Sequence, residues 1–284
     1  MSQHVPESAR VLLAGLVDYA GLFPPAALSM PDAVINYATY RNSNFKWMLG
    51  RFIVHVSRLD EFTESARDFY TRDGGEGGSW RLSVLASEDI DETVRRVREF
   101  NEREAPHAVC DTLEIKTNTS SLAEKIITAV PRGEFTAFFE VPIGEPLADL
   151  VSTLSIHQRC AKIRTGGVTN NDFPTSEQIT RFIRTCLAAN VPFKATAGLH
   201  HPIRCDRPLT YEKNAEIGTM HGFLNVFLAA GFLRQGFKAG LVQELLQEEW
   251  AESLTFDDAG VLWRQEYFLN TMQLADLRRR HALS

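Results

Sequence analysis

Hydrophobic and polar positions follow two rhythms along the chain. Short apolar runs of five to seven residues are typical of buried strands. They fall at residues 16–20, 51–56, 81–86, 112–117, 135–141, 160–164 and 192–197. Between them lie amphipathic stretches with the period of a helix. These predicted helices span residues 31–40, 61–70, 89–104, 121–129, 147–156 and 176–189.

Strands that alternate with helices pair in parallel through right-handed crossovers. Seven such units favour an α/β fold of the (β/α)8, TIM-barrel-like class over an open doubly wound sheet. No dinucleotide-binding or P-loop motif follows any predicted strand, and such motifs mark the nucleotide sites of open sheets. We therefore expect a single barrel domain over residues 1–284.

The eighth strand of such a barrel is not evident. Residues 222–233 form an almost wholly apolar run, too long for a strand, which predicts a buried helix. A second helix is predicted at 241–250, a short hairpin at 254–263 with its turn at 257–260, and a last helix at 265–280. The portion from about residue 206 to 284 is thus expected to be helical. Either the eighth strand is irregular or the chain stops before it.

Composition argues against several classes of partner. The 30 Lys and Arg against 36 Asp and Glu give a net charge of −6, which disfavours a nucleic-acid partner. No run approaches roughly 18 apolar residues, so no membrane helix is expected, and no signal peptide is evident. Four scattered cysteines without a CxxC pair are typical of a reduced, cytoplasmic protein. Homo-oligomer formation stays open.

Charged side chains share one face of several predicted strands. Side chains alternate between the two faces of a strand, so the charged face lies opposite the apolar face that meets the helices and points into the barrel. It carries two glutamates and four cations: Glu114, Glu140, Lys116, Lys162, Arg164 and Lys194. The excess of two positive charges predicts an anionic substrate. The alternative is an interior ion-pair network that only fills the barrel.

Lys162 and Lys194 are the residues best placed for chemistry. They are 32 residues apart, one strand–helix unit, so they should lie on neighbouring strands about 4.8 Å apart. A second ammonium close by, together with burial, lowers the pKa of a lysine and frees a nucleophilic amine. Such an amine forms a Schiff base with a carbonyl compound, and Glu140 or Glu114 would move the protons. The alternative is that both lysines simply pair with Glu114 and Glu140.

Short motifs around these residues resemble those of the deoxyribose-phosphate aldolases. Residues 162–166 (KIRTG) are similar to the KTSTG strand of that family, and residues 193–198 (FKATAG) to its VKASGG strand. Residues 16–19 (LVDY) resemble its first-strand IDHT segment. Glu114 stands four residues before Asn118, where the family has Asp four residues before Asn. The resemblance covers about two-thirds of the chain.

Glu140 matches the Glu of that family's IIET strand. The resemblance implies a class I aldolase in which Lys162 forms the Schiff base, Lys194 tunes it, and Glu114 takes the place of the acid/base aspartate. This chain departs from the family pattern in three ways: Glu114 replaces an Asp, Lys116 adds a charge, and no Gly-Ser-Ser phosphate loop follows a last strand. Whether the substrate is phosphorylated therefore stays an open question.

Two adjacent histidines follow the seventh predicted strand. Strand-end loops of a barrel carry function, so His200 and His201 are candidate substrate contacts. A metal-dependent alternative would use one of them with Glu140 and His221, because imidazole and carboxylate groups suit zinc or manganese. No HxH or HExxH pattern accompanies them, and we expect no metal or other cofactor.

Further substrate-binding candidates lie at strand ends. The glycines there would bring backbone N–H groups to an anion, or they only serve turn geometry. Asp18, near the end of the first strand, would relay protons or bond the following turn. The predicted substrate-binding set is Asp18, Lys116, Arg164, Thr165, Gly166, Gly167, Gly198, His200 and His201.

The sequence thus predicts a Schiff-base-forming carbon–carbon lyase acting on a small anionic carbonyl compound. Its catalytic residues would be Lys162, Lys194, Glu140 and Glu114. Two alternatives stay open. One is a metal-dependent barrel lyase or isomerase, and the other is a non-catalytic barrel that binds a small anion or a protein partner.

Overall fold

The computed structural model describes residues 4–70 and 78–284. Within these ranges, seven parallel strands pair in chain order to form one sheet. The strands are β1 (Val17–Tyr19), β2 (Leu49–His55), β3 (Trp80–Leu85), β4 (Ala108–Lys116), β5 (Thr136–Glu140), β6 (Cys160–Arg164) and β7 (Phe193–Thr196). All seven predicted strands are confirmed, and so is the α/β class.

Helices alternate with these strands and cover the outside of the sheet. They are α1 (Glu7–Leu13), α2 (Met30–Arg41), α3 (Leu59–Tyr70), α4 (Ile90–Glu104), α5 (Ser120–Ala129), α6 (Leu147–Ile156) and α7 (Ser176–Ala188). Several begin at side-chain caps: the Thr175 hydroxyl accepts the N–H of Gln178, whose side chain accepts the N–H of Thr175. The six predicted helices are confirmed, whereas α1 was not predicted. No helix in the described part of the chain is long and apolar enough to cross a membrane.

The sheet curls until its two edges approach each other. The ammonium of Lys194 on β7 donates a hydrogen bond to the carboxylate of Asp18 on β1. No eighth strand is found among the described residues. Instead residues 281–284 lie parallel to β7: the N–H of Ala195 donates to the Ser284 carbonyl at 2.9 Å, and the Ser284 hydroxyl donates to Asp18 at 2.8 Å. The fold is therefore TIM-barrel-like, with these four residues between β7 and β1.

The portion after β7 combines helices with two small antiparallel sheets. Its elements are β8 (Cys205–Pro208), β9 (Ile217–Met220), α8 (Phe223–Arg234), α9 (Ala239–Leu246), β10 (Leu254–Phe256), β11 (Gly260–Trp263), β12 (Tyr267–Asn270) and α10 (Thr271–Arg280). The buried helix α8 and the β10–β11 hairpin are confirmed. The β8–β9 hairpin was not predicted.

The prediction of one helix over residues 265–280 is wrong for its first turn and a half. Residues 267–270 form β12, which pairs with β11 and buries Leu269. The helix begins only after Asn270, whose side chain accepts the N–H of Gln273 and so caps α10. A short apolar run satisfies both the strand and the helix period, which is why the pattern did not separate them.

Two glycines let the loops after β6 and β7 pack against each other. A Cβ built on Gly198 would lie 2.8 Å from the Cα of Gly166, and the converse distance is also 2.8 Å. Gly198 also has a φ of +71°, in the left-handed region that disfavours residues with a Cβ. Close approach and turn geometry thus account for both glycines at these positions.

Gly198→Ala is expected to lower the free energy of unfolding by about 2 kcal/mol or more, because it adds both backbone strain and overpacking. The matched control is Gly240→Ala in α9, where a Cβ meets no atom within 4 Å. This control should be neutral or stabilise the protein by up to about 1 kcal/mol. Urea unfolding of both variants measures the difference, and equal stabilities would contradict the close-approach argument.

Candidate active site

One layer of charged residues runs across four neighbouring strands. Lys116 pairs in register with Glu140, Glu140 with Lys162, and Lys162 with Lys194. Residues in register on parallel strands project to the same face of the sheet. The parity prediction that these side chains share a face is therefore consistent with the observed register.

Glu114 on β4 is the centre of the buried charges. It is only 4% exposed, and its two carboxylate oxygens contact different lysines: Oε1 lies 2.7 Å from the Nζ of Lys194, and Oε2 lies 2.7 Å from the Nζ of Lys162. The Ser83 hydroxyl donates to Oε1 at 2.6 Å. Burial raises the pKa of Glu114, but the ammonium groups of Lys194 and Lys162 outweigh burial and hold that pKa well below its usual range. Glu114 is therefore a fixed anion.

Lys194 is a fixed cation. Its side chain is buried, and its ammonium donates to Asp18 and to Glu114. Burial lowers the pKa of Lys194, but the charges of Asp18 and Glu114 raise it more, so its pKa lies above the usual value. The sequence prediction that two neighbouring ammonium groups depress a lysine pKa does not describe Lys194, because Glu114 bridges it to Lys162.

Asp18 ties β1 to two neighbours besides Lys194. Its Oδ1 accepts the N–H of Arg51 on β2 at 2.6 Å, and its Oδ2 accepts the hydroxyl of Ser284 at 2.8 Å. Sequence reasoning gave Asp18 a role in proton relay or in the following turn. The structure instead places its carboxylate at the seam of the sheet. Ser83 and Ser284 were missed, and the signal for Ser83 was a small polar residue at an inward position of an apolar strand.

Lys162 connects this buried cluster to the surface. Its Nζ lies 2.7 Å from Oε2 of Glu114 and 2.8 Å from Oε2 of Glu140. The Lys162 side chain is 5% exposed and that of Glu140 is 14% exposed. The ion-pair alternative thus describes the contacts of Lys162, since it pairs with both glutamates. Glu140 is the group at which the network reaches solvent.

A cleft of about 610 Å³ opens at the carboxyl ends of β4, β5 and β6. Its walls combine charged, amide and apolar side chains, among them Lys116, Asn118, Leu122, Glu140, Ile143, Arg164, Asp172, Phe173 and Gln178. Lys116 and Arg164 are exposed here. They are the last residues of β4 and β6, so they lie at the mouth rather than around the buried axis where the sequence analysis placed them.

Lys116 and Arg164 line the mouth of the cleft together with the carboxylate of Asp172, so the rim has a formal charge of +1. Among the residues that the structure describes, neither Lys116 nor Arg164 lies in an ion pair; Arg164 only donates to the carbonyl of Gly166 at 3.5 Å. The buried network below holds three carboxylates and two ammonium groups, a formal charge of −1. The buried lysines therefore carry no excess of positive charge.

The strand-end polar residues divide between packing and the surface. The Thr165 hydroxyl is buried and donates to the carbonyl of Ala197 at 2.7 Å, which joins the two loops. A Cβ on Gly167 would collide with the side chain of Asp172. Thr165 and Gly167 therefore contribute to the packing of these loops. Their predicted contact with a substrate stays a prediction.

The histidines do not assemble with Glu140. His200 is exposed and His201 half-buried, and the N–H of Phe223 donates to the His201 carbonyl at 3.0 Å. His221 is buried, with its Nε2 at 2.7 Å from the Pro174 carbonyl oxygen. Burial lowers the pKa of the His221 imidazole. In residues 4–70 and 78–284, no three His, Cys, Asp or Glu side chains are grouped to hold a metal ion.

No protein-family model matches this chain, and no curated protein shows significant similarity to it. The arrangement of side chains is therefore the basis for assigning a function. That arrangement comprises a buried network of fixed charge, one lysine in contact with a cleft-lining carboxylate, and two cations at the rim.

Glu114→Gln is expected to lower the free energy of unfolding at pH 7 by about 3 to 5 kcal/mol, because two buried ammonium groups lose their shared partner. The low pKa of Glu114 in the folded state adds a pH signature. Its stabilisation is complete above the unfolded pKa of about 4.5 and is lost as pH falls below that value. Wild type should therefore lose more stability than the variant between pH 5 and about pH 3.

Urea unfolding across this pH range measures both effects. Glu64→Gln on α3, which is exposed, is the matched control and should follow wild type within about 0.5 kcal/mol. Parallel stability curves for wild type and Glu114→Gln would show that Glu114 is not held as an anion.

Proposed function

We propose that this chain is a Schiff-base-forming carbon–carbon lyase for small anionic carbonyl compounds, with Lys162 as the nucleophile. One observation carries the proposal: the Nζ of Lys162 lies 2.8 Å from Glu140, and Glu140 lines the cleft. Lys162 is therefore the buried lysine in contact with a carboxylate that both solvent and substrate reach. A nucleophile beside a base at hydrogen-bond distance is the arrangement that covalent catalysis requires.

The chemistry begins with a proton transfer. Lys162 gives a proton to Glu140, and the free amine adds to the carbonyl carbon of the substrate. Glu140 returns that proton to the oxygen of the adduct, and the adduct nitrogen gives a second proton to the same oxygen. The oxygen leaves as water, and an iminium forms. Glu140, now a carboxylate again, removes the proton of a β-hydroxyl. The carbon–carbon bond breaks to release an aldehyde, and the electrons of that bond pass to the iminium nitrogen. Protonation of the resulting enamine and hydrolysis release the second product.

This assignment changes two roles that the resemblance implies. The pKa of Glu114 is too low for it to donate a proton near neutral pH, so Glu140 takes the acid/base role. Lys194 keeps its proton and acts with Glu114 as a fixed dipole under the reacting nitrogen. Preorganised charges of this kind stabilise charge that develops in a transition state.

The substrate is bound by its charge and by an apolar wall. Lys116 and Arg164 at the rim provide two cations for a carboxylate or phosphate. Leu122, Ile143 and Phe173 provide apolar surface next to them. We also propose that residues 281–284 take the place of the eighth strand of a (β/α)8 ring, since they hydrogen-bond to β7 and reach Asp18 on β1.

Borohydride trapping tests the nucleophile. The protein is incubated with a panel of small aldehydes and keto acids plus borohydride, and its intact mass is measured. A covalent adduct should form and map to Lys162, because reduction fixes an imine at the lysine that formed it. Lys162→Arg keeps the cation for Glu114 and Glu140 but has no amine that deprotonates, so it should give no adduct.

Lys125→Met on α5, an exposed lysine, is the control and should be labelled like wild type. An adduct that survives Lys162→Arg, or none across the panel, would contradict the proposal. Turnover without an adduct that stops on addition of a chelator would instead support the metal-dependent alternative. Ligand-induced thermal stabilisation without turnover would support the non-catalytic alternative.

Arg164→Gln tests anion recognition at the rim. The concentration of an anionic aldehyde that gives half-maximal trapping should rise about tenfold, because a charge-assisted contact is lost. Trapping of an uncharged aldehyde should not change, and the exposed Arg67→Gln on α3 should behave like wild type. An equal loss for charged and uncharged aldehydes would show that Arg164 does not bind the anion.

A further inference from the structure

A second cavity lies at the opposite end of the sheet. It has a volume of about 240 Å³ and is lined at the amino ends of β5 and β6 and by the segments that lead into them. The residues that matter here are Arg132, Thr136, His157, Gln158 and Arg159. The proposed reaction uses none of them, because Glu140 and Arg164 lie at the opposite, carboxyl ends of the same two strands.

The lining of this cavity is positive. It contains two arginines and a histidine, and no Asp or Glu. Arg132 is exposed, whereas Arg159 is 5% exposed. Within the described ranges, neither guanidinium lies in a salt bridge, although the chain as a whole has a net charge of −6. Two cations are thus held together without a carboxylate.

Packing explains only part of Arg159. Its Nη2 donates to the carbonyl of Val130 at 2.6 Å, just beyond the end of α5, where a cation suits the helix dipole. Its Nε is buried and has no hydrogen-bond partner in the structure. A buried N–H group without an acceptor lowers the stability of the fold, and a buried charge without a counter-ion lowers it more. The helix end accounts neither for this nitrogen nor for the presence of Arg132.

We propose that this cavity binds a phosphate group, either as inorganic phosphate or as the ester of a small molecule. Two guanidinium groups fit such a group, because each presents a planar fork of N–H donors to oxygen pairs. A phosphate carries between one and two negative charges at neutral pH, which matches the two arginines. Thr136 and Gln158 line the same cavity and offer further donors.

Binding is measured by isothermal titration calorimetry of the whole chain in a buffer free of phosphate and sulfate. Inorganic phosphate and glycerol phosphate are titrated separately, so that free and esterified phosphate are distinguished. Saturable binding of one or both is expected. Arg132→Gln and Arg159→Lys should each weaken it about tenfold or more, since each removes a fork of charged hydrogen bonds.

Two control variants locate the site. Arg67→Gln removes an equal charge on α3 and should leave the affinity unchanged. Arg164→Gln removes the rim cation of the cleft and should leave unchanged the binding that depends on Arg132. Circular dichroism verifies that each variant folds, and Arg132→Gln carries the test alone if Arg159→Lys does not fold, because Arg132 is exposed.

The outcomes separate this site from the proposed lyase. Loss of binding in Arg132→Gln but not in Arg164→Gln supports the cavity, whatever the borohydride experiment shows. Absence of saturable binding for both ligands would overturn the proposal. So would binding that is lost in Arg164→Gln and kept in Arg132→Gln, because the phosphate would then lie in the cleft.

Discussion

The sharing of one carboxylate by two buried ammonium groups is the constraint on which the rest of the structure depends. Burying a lysine costs several kcal/mol unless an anion meets it. Glu114 contacts two lysine ammonium groups, one with each carboxylate oxygen. Glu114 lies on β4, whereas the two lysines lie on β6 and β7. Only a strongly curled sheet brings these three strands together. The shape of the sheet and the neutralisation of its interior therefore require each other.

The same arrangement separates fixed charges from available ones. Glu114, Lys194 and Asp18 are held in mutual contacts below the surface, and the groups that solvent reaches are Glu140 and the rim cations. Lys162 belongs to both sets, since it contacts Glu114 on one side and Glu140 on the other. Lys162 therefore has a fixed position and is also next to a group that lines the cleft. Neither the buried charges nor the exposed ones combine these two properties.

The alternation of side chains along single strands explains which features of the site the sequence predicts. The two-residue alternation along β4 to β7 is a property of each strand by itself, so it indicated which face Glu114 and Lys162 share. It did not indicate depth, and Lys116 was therefore placed in the interior although it ends its strand at the cleft. Nor did it identify Asp18 as the partner of Lys194, because that choice depends on how far the sheet curls. Residues 281–284 carry too few positions for any period to show.

The seam between β1 and β7 also limits how this chain can be divided. Asp18 and Lys194 are 176 residues apart, so their contact closes a long loop of chain unless the intervening strands are already in place. A fragment that lacked either edge would leave a buried ion without its partner. The first and last strands of the curled sheet are therefore interdependent, since each carries the counter-ion of the other.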